Sequence, residues 1–351
     1  MKKENLHLAF KSLAALVVWV GAYLSTAPLA HWLSYDLFGF KEGSATGHAM
    51  EFFLYDTPKI LLLLVLMVYA IGWLRAGLDT DRVREYLKGK GRSLGYVLSA
   101  VFGAVTPFCS CSSVPLFIGF TTARIPLGMT MAFLITSPLI NEVAVVLLWG
   151  LLGWKFTLIY VGAGLAAGVA GGLFMDAIHA ERWLQPFLLE EMKRPPMRTL
   201  MMQAGRRRIT LAIRHSFALG EVRTIFRRVW KWVILGVALG AGLHGFVPQE
   251  WFAEHLGTAS WWSVPLAVAL GIPLYTNVTG IVPVMESLLM KGLPVGTTLA
   301  FCMSTVAASL PEILMLKQVM RTPLLAVFLL FLLVLFTMLG WLFNALPASL
   351  F

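Results

Sequence analysis

The chain has 351 residues, of which 58% are hydrophobic and only 13% charged, with a formal net charge of +10. A water-soluble domain carries roughly 25% charged residues, so this chain has too few to coat a water-facing surface, and its apolar excess must meet lipid. The basic residues are clustered beside apolar runs, a pattern of membrane topology rather than of a nucleic-acid face.

The first residues are basic and lead into an apolar run that continues to about residue 33. That run outlasts a signal-peptide core of roughly 7–15 residues, so it reads as an uncleaved first helix over 13–33. Residues 34–58 hold four acids and one Lys, and a second span is expected at 60–73. Residues 79–92 carry five Lys or Arg against three acids. Apolar segments follow at 94–120 (interrupted at 106–115), at 127–152 (interrupted at 136–141) and at 156–175. The stretch 179–231 holds twelve Lys or Arg against four acids, and its part from 201 to 230 suits a basic helix lying on an anionic membrane surface. Spans are then expected at 232–246, at 264–289 with a break near 273–283, at 296–316 with a break near 304–311, and at 324–345. Each is near the roughly 20 apolar residues that cross a bilayer, or is broken into parts. The fold class expected is an all-α polytopic membrane protein.

Basic loops stay in the cytoplasm, which puts 79–92, 179–231 and the N-terminus inside. Residues 248–262, with two acids and no Lys or Arg, suit an outer loop. Three apolar segments lie between the two basic loops, and three crossings cannot return to the starting side. The segment 94–120 is therefore expected to enter and leave by one face. Its centre, Thr106-Pro-Phe-Cys-Ser-Cys-Ser-Ser-Val-Pro115, breaks a helix because proline removes a donor and clashes.

The halves resemble each other. Pro115, Pro126, Gly128, Thr130, Ala132 and Phe133 recur without gaps as Pro283, Pro294, Gly296, Thr298, Ala300 and Phe301. With the parity above, the copies are expected to be inverted, a signature of secondary transporters whose broken helices meet near the midplane. The organisation read from this is an extra N-terminal helix and outer loop (1–57), a first repeat (58–178), a basic linker (179–231) and a second, inverted repeat (232–351).

The chemistry gathers at the interruptions. Cys109, Ser110, Cys111 and Ser112 sit at the expected hairpin tip, and Cys302 precedes the break near 304–311. Soft thiolates select soft ions, so the three sulfurs are candidate metal ligands if the repeats converge. Three cysteines are too few for a disulfide framework. Asn141, Tyr275, Thr276, Asn277 and Ser304 are candidate substrate contacts. Glu142 and Glu312 lie inside apolar segments, where a charge costs roughly 2.5–3.5 kcal/mol, and are candidates for proton coupling or for capping half-helices. Glu286 is a weaker third candidate. No phosphate-binding glycine loop with its Lys is present, which argues against ATP hydrolysis.

The stretch from Thr106 to Leu116 resembles a family of bacterial permeases that includes the organoarsenical efflux permeases of ArsP type. The likeness continues from Arg124 through Asn141 and Glu142, then at Gly271-Ile-Pro-Leu-Tyr-Thr-Asn277 and at Ser309-Leu-Pro-Glu312. The resemblance implies an inner-membrane permease, with members linked to efflux of trivalent organoarsenicals or metals and with Cys109 and Cys111 as functional thiols.

The function expected is a secondary permease exporting a small thiol-reactive solute, a trivalent organoarsenical or a soft metal ion, with proton coupling. Two alternatives stay open: a membrane thiol oxidoreductase using Cys109 and Cys111, and a permease for a small anion held at half-helix N-termini. The expected partners are the lipid bilayer and the solute, with a homo-oligomer left open and no cofactor or nucleic acid.

Overall fold

The computed structural model describes residues 2–77, 92–106, 116–121, 125–140, 142–193, 211–246, 261–274, 278–290 and 292–346. Apolar runs form helix because backbone groups in lipid must be satisfied within the chain. Helix α1 (Lys2–His31) passes into a π-helical turn at Trp32–Leu37, and α2 is Ala45–Gly77. After α3 (Arg92–Val105) come a helical stretch at 116–121, α4 (Leu127–Leu139) and the long α5 (Glu142–Ala177). A 3-10 turn at Ala180–Trp183 and α6 (Pro186–Lys193) lead toward α7 (Leu211–Phe246). The last helices are α8 (Ser263–Gly271), α9 (Val278–Met290), α10 (Val295–Ala307), α11 (Leu310–Leu316) and α12 (Thr322–Asn344).

Four stretches are long and apolar enough to cross a membrane: Ala14–Leu37, Ala45–Trp73, Ala144–Ala177 and Thr322–Asn344. The chain is an all-α polytopic membrane protein. Val17, Val18 and Leu24 of α1 are 64–71% exposed, as a lipid-facing helix requires. By contrast α4 and α10, at 13 residues each, rise about 20 Å at 1.5 Å per residue, short of a hydrocarbon core of about 30 Å. Both are buried along nearly their whole length. They are half-length helices enclosed by protein.

Three boundaries differ from those read in the sequence. Helix α2 starts at Ala45, so Asp56 is 1% exposed inside a helix rather than in a loop. Helix α5 joins the expected end of one segment to the next, with one non-helical residue, Gly153 at φ 80° and ψ 170°. Helix α7 takes in residues 211–231, and these pack on α2 instead of forming a separate surface helix. Tyr69 and His215 share a hydrogen bond of 2.7 Å, and the Arg214 guanidinium lies 5.1 Å from the centre of the Trp73 ring.

One spacing, the 168 positions from Leu127 to Val295, relates the two halves well beyond the short motif. It carries α4 onto α10 from first residue to last, and residues 154–176 of α5 onto α12. It carries α2 onto most of α7. Matching helices pack head to tail. Phe174 stacks on Phe331 at 5.3 Å while Phe156 meets Phe343 at 5.5 Å, so α5 and α12 run antiparallel. The last turns of α2 lie against the first turns of α7, the most extensive helix pair among the described residues.

Candidate functional site

The short helices α4 and α10 start on prolines, Pro126 and Pro294, with nearly the same backbone angles (φ −50°, ψ 136° and φ −56°, ψ 135°). Proline has no side chain that can cap the exposed N–H groups of the first turn. The cap comes instead from another helix. Gly128 donates its N–H to Asp176 Oδ1 at 2.9 Å, and Gly296 donates to Asn344 Oδ1 at 2.7 Å. Tyr96 also donates to Asp176 Oδ2, and Asn344 Nδ2 donates to Thr297 Oγ1 at 3.1 Å. A Cβ on Gly128 would sit 2.5 Å from Asp176 Cγ, and one on Gly296 would sit 2.7 Å from Asn344 Oδ1. Only glycine permits this approach.

Both half-helices end at a break. Ile140 turns extended (φ −111°, ψ 102°) after α4, and Ala308 leaves the helix (φ −133°, ψ 23°) after α10. Each still donates its N–H four residues back, Ile140 to Thr136 O and Ala308 to Ser304 O, both at 2.9 Å. Pro138 lies in the last turn of α4, just before its break.

A cavity of about 20 Å³ lies where these broken ends meet. The first half supplies Pro138, Leu139, Ala144 and Tyr160; the second supplies Ile281, Met285, Leu299, Cys302, Met303 and Val306. Tyr160 donates its hydroxyl to the Leu139 carbonyl, near the break. Three sulfur-bearing side chains, Cys302, Met285 and Met303, line an otherwise apolar space.

The chain matches the family described as "predicted permease" (ArsP_1) over residues 45–345. It belongs to that family. The UPF0718 protein MJ0584 of Methanocaldococcus jannaschii is 21% identical over 314 residues, covering 76% of this chain and 86% of that protein. The UPF0718 protein YraQ of Escherichia coli is 22% identical over 238 residues, covering 66% of this chain and 62% of that protein. No solved structure matches the chain. The family's match begins at the first residue of α2, which leaves α1 outside it.

Within this permease framework the sequence-derived candidates fall in different places. Cys302 reaches the cavity and is 6% exposed. Ser304 does not line it; the hydroxyl donates to Phe301 O at 2.9 Å beside Gly271. Glu312 is 2% exposed in the first turn of α11, a helix packed on α7. Glu142 opens α5, and Glu286 is half-buried on α9. Cys109, Ser110, Cys111, Ser112, Asn141, Tyr275, Thr276 and Asn277 lie outside the described residues. Among the described residues no group of three or more His, Cys, Asp or Glu is placed to hold a metal.

Tyr160, Met285 and Met303 were missed in the sequence. Tyr160 sits in an apolar run, Met285 stands beside Glu286 and Met303 beside Cys302, and each reads there as filler. The trans-caps Asp176 and Asn344 carry a legible signal, since they stand at the same spacing as Gly128 and Gly296.

Proposed function

We propose that the chain is a secondary permease of two inverted units, related by the 168-residue spacing, which exports a small thiol-reactive solute across the cytoplasmic membrane. The solute class is a trivalent organoarsenical or a soft metal ion. Cys302, with Cys109 and Cys111, supplies soft ligands; Glu142 and Glu312 serve as proton-coupling groups; Asn141, Tyr275, Thr276 and Asn277 supply polar contacts at the breaks.

The observation that carries this reading is the sulfur-lined cavity at the junction of the two units. Solute sites of inverted-repeat transporters sit where discontinuous helices meet, and irregular backbone at that depth is tolerated when it lines such a cavity. The antiparallel packing of matching helices supports inversion, because copies related by an axis in the membrane plane must run oppositely. The family's description as a permease supports transport.

The test is accumulation of phenylarsine oxide, silver and zinc in everted vesicles with an imposed pH gradient. Gradient-dependent accumulation that falls at least tenfold in the Cys109→Ser, Cys111→Ser and Cys302→Ser variants is the expected result. Equal accumulation with and without the protein would remove the proposal.

A further inference from the structure

The chemistry of the junction cavity narrows the solute class, on the reading that this cavity is the permease's solute site. The Cys302 thiol is buried and is not in a disulfide. Met285 (2% exposed) comes from α9 and Met303 (4% exposed) from α10, and both line the same space. The one hydroxyl among the described lining residues, that of Tyr160, is already committed to the Leu139 carbonyl. We infer that this cavity binds a monovalent soft metal ion, Cu(I) or Ag(I), through the Cys302 thiolate and the Met285 and Met303 thioethers.

Softness is the first reason. Thiolate and thioether donors select Cu(I), whereas zinc is served by imidazole and carboxylate as well. A trivalent arsenical forms each As–S bond with a separate thiol, and Cys302 is the one thiol among the described lining residues.

Charge is the second. A monovalent cation and one thiolate sum to zero, and thioethers add nothing. A divalent ion would leave a net positive charge in a low-dielectric site, which is expensive without a partner.

Size is the third. The cavity's 20 Å³ exceeds the roughly 10–15 Å³ that one water needs, which suits a bare ion. On binding, the S–H bond breaks, its proton passes to water, and an S–metal bond forms. The metal keeps its oxidation state, so the step needs no oxidant or reductant and releases one proton per ion.

The test uses the purified full-length protein and its Cys302→Ser variant, which removes the thiolate and should lose the ion. Silver is titrated calorimetrically, and cuprous ion is titrated anaerobically against a chromophoric chelator. The expected result is one ion per chain, with affinity falling about tenfold for each pH unit lowered. Met285→Leu with Met303→Leu conserves volume and should weaken silver binding at least tenfold at an unchanged thermal midpoint. Unaltered silver affinity in that double variant would overturn the site. So would stoichiometric phenylarsine oxide binding that is lost with Cys302→Ser. If the binding results hold but proteoliposomes of the parent protein move neither silver nor arsenical, the permease reading fails and the ion site stands. If arsenical flux persists while silver affinity ignores both methionines, the ion site fails and the permease stands.

Discussion

The backbone N–H of Arg321 donates to the carbonyl of Trp183 at 2.9 Å. Gln185 N–H donates to Val319 O at 3.1 Å, and Leu184 pairs with Met320 as an isolated antiparallel bridge. The turn after α5 and the loop before α12 therefore share one end of the molecule. Between them the chain passes α7, the α8–α9 segment and the broken pair α10–α11. An even number of crossings is needed to return to one face; the proposed inversion meets this with α7 and α10–α11 each crossing once and α8–α9 entering and leaving by the same side.

This parity has a direct check. Leu184→Cys with Met320→Cys should form a disulfide on mild oxidation, since Cα atoms in an antiparallel pair lie about 4.5–5.5 Å apart, within the range a disulfide spans. Single cysteines at Gln185 and Gln318, in a background without native cysteine, should react with an impermeant maleimide from the same side of vesicles. Labelling from opposite sides would break the parity.

The paired trans-caps make a second prediction. Asn344 does for α10 what Asp176 does for α4, so an amide should serve at both places. Asp176→Asn should lower stability by less than about 1 kcal/mol, whereas Asp176→Ala strands the Gly128 N–H and should cost about 1.5–3 kcal/mol. Thermal unfolding in detergent reads both. Equal losses for the two variants would mean that charge, not hydrogen bonding, holds the cap.

Gly153 gives a third. Its φ of 80° with ψ of 170° lies in a region that essentially only glycine occupies, at a cost to other residues of about 1–3 kcal/mol. Gly153→Ala should lower the thermal midpoint accordingly, and Gly150→Ala, which meets open space, should not. Identical midpoints for the two variants would contradict the break.

Much of this architecture was legible because breaks in apolar runs are written in proline and polar residues. The interruption expected at 136–141 lies at Ile140, and that expected at 304–311 lies at Ala308 and Ser309. The N-terminal part of α7 was read as a separate basic surface helix because of its arginines, although Arg214 lies over Trp73 and His215 bonds Tyr69. The boundary expected between 152 and 156 lies at Gly153, although helix resumes at once on either side of that residue. The internal correspondence was seen only from Pro115 to Phe133, yet Gly103 and Gly271, or Gly172 and Gly340, stand at the same spacing. Those glycines mark where helices touch: a Cβ on Gly103 would meet Phe133 O at 2.9 Å, and one on Gly271 would meet Phe301 O at 2.9 Å. Of the cavity residues Cys302 was named in advance, but its neighbours Tyr160, Met285 and Met303 were not, since packing alone brings them beside it.

The most direct measurement is solute flux in proteoliposomes of the parent protein and of Cys302→Ser, run with silver, cuprous ion and phenylarsine oxide. If the solute passes between the two halves, the parent moves at least one of these, and serine at this one buried position cuts that flux at least tenfold while the protein stays folded. Flux that ignores the substitution would contradict a path through the junction.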